Sequence, residues 1–450
     1  MDISIIETSG LGDRSYLISH GGSAVVIDPQ RDIDRVLALA DERATRITHV
    51  LETHLHNDYV TGGLELSRTV GAEYVVPAVD GIGYPHRAVT DGDVIDAGPM
   101  RFEVLHTPGH THHHVSYVLR DDTGAVHGVF TGGSMLFGTT GRTDLVAAED
   151  TEELTHAQFH SVRRLADTLP TDTPVYPTHG FGSFCSATPA SGDESTIGEQ
   201  RQSNPALTQD EQSYVDELLA GLSAYPTYYA HMGVINREGP APVDLTPPAP
   251  IDPAELRRRI EAGEWVVDLR NRTAFAAGHL QGTLGFELSG SFVSYFGWLY
   301  EWGAPVTLIG ESPDQIAEAK RELVRIGVDR LTGSATGDVD TLRAEAPLGS
   351  YEVGDFARLA RERKTTAVAV LDVRQTNEFD QEHIPGAVSI PLHELPQRLD
   401  DVPASPVWVH CASGYRSSIA ASYLDRAGIS VVLIDDDFDN AVKLGLTVSG

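Results

Sequence analysis

The sequence predicts an α/β protein: a first domain with mixed sheets, then two copies of a smaller α/β domain with parallel sheets. Three observations carry this expectation. Short β-rich runs alternate with segments of helical spacing in the first half. A proline-rich stretch then interrupts the chain. Beyond it an 18-residue pattern occurs twice.

In chain order, SYLIS (15–19), AVVID (24–28) and ITHVL (47–51) read as strands. DIDRVLALADERA (32–44) and GGLELSRTVG (62–71) space their apolar residues as helices do. FEVLH (102–106), VSYVL (115–119) and AVHGVF (125–130) are again β-rich, with a turn at RDDTG. Helical segments follow near 151–169 and 207–222. NREGPAPVDLTPPAPIDP (236–253) holds six prolines, which favour extended chain. The expected domains are therefore 1–235, a linker at 236–253, then 254–345 and 346–450.

The repeat is VVDLRNRTAFAAGHLQGT (266–283) against VLDVRQTNEFDQEHIPGA (370–387). Asp268, Arg270, Phe275, His279 and Gly282 pair with Asp372, Arg374, Phe379, His383 and Gly386 at a constant offset of 104. Chance does not easily keep five positions in register. The copies differ where chemistry would sit. VWVHCASGYRSSIAASYL (407–424) reads as strand, tight loop and helix, with Cys411 at the strand end and Arg416 entering the helix. The corresponding stretch of the first copy, VTLIGESPDQIAEAKREL (306–323), has Gly310 in place of the cysteine and no arginine there. A cysteine before a helix N-terminus faces converging N–H groups that favour a thiolate and any bound anion.

Composition excludes several classes. The formal charge of −32 argues against nucleic acid and anionic membranes as partners. No run approaches the ~20 apolar residues of a membrane span, and MDISIIETSGLGD has none of the features of a secretory leader. Cys185 and Cys411 are the only cysteines. A reducing, cytoplasmic setting is the simplest expectation.

Histidines and acids gather at expected strand ends: THLHND (53–58), HTPGHTHHH (106–114), FTGGSM (130–135) and VYPTHG (175–180). Ligands of α/β folds collect at such ends. Imidazoles and carboxylates together suit Zn²⁺ or Fe²⁺. His54, His56, Asp58, His110 and His179 are the candidate metal ligands.

The 371–387 and 410–417 stretches, LDVRQTNEFDQEHIPGA and HCASGYRS, resemble the rhodanese family. That resemblance implies sulfane-sulfur transfer through a persulfide on Cys411. The loop Ala412, Ser413, Gly414 and Tyr415 would cradle it with Arg416, beside Asp372 and Arg374. A related set of phosphatases has a loop one residue longer, so the Cys-x4-Arg spacing favours sulfur transfer. The histidine motifs of residues 1–235 resemble the metallo-β-lactamase fold, which implies an αββα sandwich. The whole chain resembles persulfide dioxygenase–rhodanese fusion proteins, and GRTDL (141–145) matches the dioxygenase branch. Arg142 and Tyr59 are then expected to contact substrate, and Cys185, six residues after His179, to relay sulfur. The resemblance further implies a thiol persulfide or thiosulfate-type substrate, one Fe(II) per chain and a homo-oligomer.

The chain departs from the family motif twice. Tyr59 stands where a histidine is expected, and Gly133 where an aspartate would ligate the metal. His56 or His179 could complete a three-histidine site with His54 and His110. Alternatively Gly133 leaves an open position, with Asp58 or Asp144 as a further donor, or no metal is held. Two other readings stay open: a Zn(II) thioesterase of the glyoxalase II type with an appended rhodanese, and a metal-free scaffold serving the Cys411 module.

Overall fold

A computed structural model describes residues 1–449 except 80, 189, 191, 344–345 and 404–405. It divides into two units, Met1–Asp244 with Val324–Gly327, and Leu245–Leu323 with Val328–Gly450.

The first unit is built on two sheets. One runs Asp2–Thr8, Asp13–His20, Ser23–Ile27, Arg46–Leu51, Glu73–Pro77 and Arg87–Val89 in sequence order. The other is ordered Val175–Pro177, Val126–Gly132, Val115–Arg120, Met100–His106 and Val94–Ala97. Alternation along each strand decides what each face buries. Tyr16, Ile18, Val25, Ile27, Val104, Tyr117 and Phe130 point into a core shared by both sheets. Leu17, Val26 and Val50 point the other way, into a layer with the helices Asp34–Glu42 and Gly63–Val70. Leu105, Val118 and Val129 face the helices Thr151–Thr168 and Glu211–Gly221. This is the αββα sandwich of the expectation. The strands Asp2–Thr8 and Glu73–Pro77 were not read from the sequence.

One boundary differs. The linker was expected from residue 236, but the helix Tyr229–Glu238 carries the chain on, and Asn236 is fully buried. Its side chain satisfies backbone groups of the histidine loop, as described below. A polar residue buried by long-range hydrogen bonds reads, in sequence, like the start of a loop.

The second unit contains the two copies. The first has a parallel sheet ordered Leu284–Gly285, Trp265–Asp268, Val306–Gly310 and Leu331–Thr336. The second is ordered Glu352–Gly354, Val431–Ile434, Val407–His410, Ala369–Asp372 and Val388–Ser389, also parallel. In the first copy His279–Leu280 pairs with Leu348–Gly349; in the second, Glu382–His383 pairs with Val448–Ser449. The first copy therefore runs through Gly349, past the expected break after 345. Among the described residues no helix is long and apolar enough to cross a membrane.

Candidate functional site

In the first unit the strand Arg46–Leu51 ends in the loop that carries His54, His56 and Asp58. Three histidines from three segments converge: His54, His110 and His179 each offer a ligand atom within 4.8 Å of the others. Each has its other nitrogen occupied. His54 Nδ1 donates to Thr53 Oγ1 at 2.8 Å, whose own hydroxyl donates to Asp28. His110 Nδ1 donates to the Arg142 carbonyl at 2.7 Å. His179 Nδ1 lies 2.9 Å from Asp13 Oδ1 and 3.2 Å from Asp58 Oδ2. Such anchoring fixes ring orientation and leaves Nε2 as the free donor, the usual outer shell of a metal-bound histidine.

Several observations test whether a metal fits here. His110 Nε2 is buried and has no partner among the described residues. Nε2 of His54 and Nε2 of His179 stand 3.3 Å apart. That separation is short enough for both nitrogens to reach one ion at imidazole–metal distances of ~2.1 Å. The three-histidine set has the donors to hold a metal ion. Burial opposes charge on His179, but Asp58 and Asp13 outweigh it and push it up to about 10. Burial and the neighbouring imidazoles push His110 down to about 3 and His54 well below its ordinary range. The carboxylates thus make His179 a strong donor, while His54 and His110 keep their lone pairs.

The other two candidates, His56 and Asp58, form a second possible ligand set with His179, with ligand atoms all within 4.8 Å of one another. Asp58 stands beside His179 as an orienting carboxylate, and neither of its oxygens has a hydrogen bond among the described residues. His56 Nε2 faces Tyr59 Oη at 3.0 Å, Glu52 Oε2 at 3.2 Å and Asp28 Oδ1 at 3.3 Å. Against the effect of burial, Asp28 and Glu52 push His56 up to about 9. It is the counter-ion of a buried acid pair. Tyr59, expected at the substrate, is instead fully buried and stacked on His56 at 4.3 Å.

Gly133 explains the missing carboxylate. A Cβ built there would lie 2.2 Å from His110 Cδ2 and 2.6 Å from Cγ. The His110 ring fills the space that a side chain at 133 would need. Gly133 N–H donates to His114 Nε2 at 3.0 Å, so His114 helps hold this approach.

Arg142 and Asp144 are also reassigned. The Arg142 guanidinium is buried, bound by both Asp144 oxygens at 2.7 Å and by the Phe184 and Ser223 carbonyls. The Arg142 carbonyl accepts from His110 Nδ1, and the guanidinium lies over the ring of Tyr225, 4.7 Å from its centroid. Cys185 is fully buried with Sγ 3.8 Å from Tyr229 Oη, and burial pushes its thiol well up. An open cleft of about 560 Å³ lies beside the histidines, lined by their neighbours Leu55 and Thr111 and by Asn57, Tyr225 and Tyr229.

Asp13, Asp28, Glu52, His114, Tyr228 and Asn236 were not found from the sequence. Tyr228 donates to the Asp58 carbonyl at 2.8 Å. Asn236 donates to the His56 and Tyr59 carbonyls and accepts from the Thr61 N–H, each at 2.9 Å. The signal for Tyr228 and Asn236 was a run rich in tyrosine just before the prolines, and for His114 its place in HTPGHTHHH.

In the second unit Val407–His410 delivers Cys411 to a tight loop, and Tyr415–Arg426 carries the chain away as a helix. Gly414 closes the turn at φ +91°, and a Cβ there would meet Asp435 Oδ1 at 2.1 Å. The N–H groups of Ala412, Ser413 and Gly414 find no acceptor among the described residues. They are available to an anion or a persulfide. Ser413 is exposed; Tyr415 donates to the Glu287 carbonyl at 2.7 Å. Cys411 Sγ lies 3.5 Å from Ser417 Oγ. Arg416 is held by Glu378, NH1 at 2.5 Å and NH2 at 2.8 Å.

Asp372 and Arg374, placed with the catalytic residues by the sequence, form a buried ion pair with Nη2 to Oδ2 at 2.7 Å. Asp268 and Arg270 make the same contacts at the same distances in the copy without a cysteine. The pair therefore braces the fold in both copies. Register confirms that Gly310 stands where Cys411 does: Asp268 pairs with Ile309 as Asp372 pairs with His410. The empty turn of the first copy is filled by Gln315, whose Oε1 accepts from Glu311 N–H at 2.7 Å and whose Nε2 donates to the Leu269 carbonyl.

Two stretches of the chain match known families. The metallo-beta-lactamase superfamily model matches residues 11–179, and the rhodanese-like domain model matches residues 355–443. The mitochondrial persulfide dioxygenase ETHE1 of Homo sapiens is 31% identical over 249 residues, 55% of this chain and 84% of that protein. A hydroxyacylglutathione hydrolase of Rhizobium johnstonii is 30% identical over 40% of this chain and 66% of its own length. The crystal structure of a metallo-beta-lactamase from Staphylococcus aureus subsp. aureus COL, 29% identical, superposes with a TM-score of 0.67 over 75% of this chain and 99% of its own. The chain is an enzyme of sulfur metabolism that belongs to the metallo-β-lactamase superfamily, in its persulfide dioxygenase family, and carries a rhodanese-like domain towards its C-terminus.

Proposed function

We propose that the protein binds a low-molecular-weight thiol persulfide in the first unit and moves sulfane sulfur through Cys411 in the second. The observation that carries the sulfur-transfer half is the Cys411 loop, with unengaged N–H groups at a strand end and a helix behind it. A thiolate there attacks the outer sulfur of a donor, and those N–H groups hold the resulting persulfide. The first copy lacks the cysteine and serves as scaffold.

In the first unit, His54, His110 and His179 would hold one Fe(II) per chain. Iron bound there would supply a Lewis-acidic, redox-active centre for sulfur and dioxygen. The chain's own groups do the rest. Asp13 and Asp58 keep His179 oriented and electron-rich, and the cleft beside Leu55 and Thr111 admits the persulfide. The thioesterase reading is disfavoured because Tyr59 and His56 are locked in the Asp28–Glu52 cluster and Gly133 has no side chain to bridge two ions. Two free cysteines suit a cytoplasmic setting, and a homo-oligomer is the expected assembly.

The test has two parts. Elemental analysis of anaerobically purified, untagged protein should find about one iron per chain. Sulfur transfer from a persulfide to cyanide should vanish in Cys411→Ser while metal content stays. Transfer that survives Cys411→Ser would end the first half of the proposal; the absence of stoichiometric metal would end the second.

A further inference from the structure

The charges around the Cys411 loop are unusual for a site that would take up anions. Arg416, the cation that enters the helix behind the loop, has both terminal nitrogens engaged by Glu378. Glu378 is two-thirds screened from solvent and Arg416 nearly nine-tenths. Arg272 comes from the first copy and is bound by Asp435 at 2.7 Å and by Glu287 at 2.7 Å. Asp435 is the residue against which Gly414 packs. Arg374 is fully paired with Asp372. Three guanidiniums thus face four carboxylates among the described residues. Glu378 and Arg416 occur together only in the armed copy, since the repeat places Ala274 opposite Glu378 and the register places Gln315 opposite Arg416. Tyr295 of the first copy adds a hydroxyl-bearing ring, 5.7 Å from the Tyr415 ring.

We infer that Glu378 sets the donor class of Cys411: by occupying Arg416 it turns the loop away from dianionic thiosulfate and towards uncharged or singly charged hydropersulfides. This rests on the reading of Cys411 as a sulfur carrier. The physical reason is Coulombic. A dianion entering the loop finds Arg416 already committed to Glu378 and meets four carboxylates against three guanidiniums, close by and partly screened from bulk water. A hydropersulfide does not carry that penalty. Both donors react by the same kind of step. The Cys411 thiolate attacks the outer sulfur and the donor's S–S bond breaks. Sulfite leaves from thiosulfate, or RS⁻ from RSSH, with the electron pair, and the cysteine becomes a persulfide. Glu378 acts through Arg416 and is a positioning residue.

The experiment compares kcat and KM of the full chain for thiosulfate and for the hydropersulfide of 2-mercaptoethanol, with cyanide as acceptor. The wild type should favour the hydropersulfide in kcat/KM by at least tenfold. Glu378→Gln should lower KM for thiosulfate roughly 5- to 20-fold, with a smaller change in kcat and in the hydropersulfide KM. Glu378→Asp, which keeps the charge, should retain the wild-type preference and guards against a folding defect. A wild type that prefers thiosulfate, or an unchanged donor ratio in a folded Glu378→Gln protein, overturns the inference. Failure of the underlying reading would look different: no transfer from either donor, or transfer that persists in Cys411→Ser.

Discussion

The loop that presents the histidines is held from behind by one side chain, and removing that side chain should loosen the whole site. Asn236 is fully buried and makes three hydrogen bonds of 2.9 Å, to the His56 and Tyr59 carbonyls and from the Thr61 N–H. Asn236→Ala leaves three buried backbone groups without partners, each at a cost of about 1–3 kcal/mol. The sum, about 3–9 kcal/mol, should appear as a fall of at least ~6 °C in the calorimetric transition of the first unit. The disturbance is local at first. Hydrogen exchange at the Thr61 amide should accelerate by at least a hundredfold, and metal retention should drop because the freed His56 and Tyr59 carbonyls belong to the loop that carries His54. Asn236→Asp should be no milder, because it keeps the acceptor for Thr61 but turns a carboxylate towards two carbonyl oxygens. A loss below about 1 kcal/mol with unaltered Thr61 exchange would refute the idea that this helix fastens the loop.

Three other outcomes follow from the same geometry. His110→Ala should reduce metal bound per chain by at least tenfold, read by elemental analysis, because it removes the Nε2 that has no protein partner among the described residues, while losing one hydrogen bond, from Nδ1 to the Arg142 carbonyl. Asp372→Asn should destabilise the second unit by about 3–5 kcal/mol at neutral pH. Burial opposes the Asp372 charge, but His410 and Arg374 hold its carboxyl below the usual range. Its contribution is therefore complete above pH ~4 and lost as pH falls through the lowered value, so the gap between variant and wild type should close in acid melts. Gly310→Cys should not create a second sulfur carrier, because Gln315 fills that turn; a cyanide-titratable persulfide at residue 310 would contradict this.

Much of this protein was legible in its sequence, and the reason is local. Strands such as Ser23–Ile27 and Val126–Gly132 are written in runs of apolar residues, and the two copies in a short motif at a fixed offset of 104. Cys411 and its loop are contiguous, so five neighbouring residues sufficed to place a turn before a helix. The same holds for the contrast between Gly310 and Cys411. The histidines were recognisable as a set because few other residues have their chemistry.

Tertiary structure decided which of them act together. His179 meets Asp13 across 166 residues, and Asn236 meets His56 across 180. No local pattern encodes such distances. Burial also reversed roles that residue type alone suggests: Tyr59 and Arg142 look fit for substrate, yet both are enclosed and engaged by the protein. Gly133 reads in sequence as a lost ligand. In three dimensions it is the space into which His110 packs, because a side chain there and the ring cannot occupy the same volume. Likewise the Asp–Arg pair beside Cys411 makes the same bonds as its twin beside Gly310, so the pair serves the fold common to both copies.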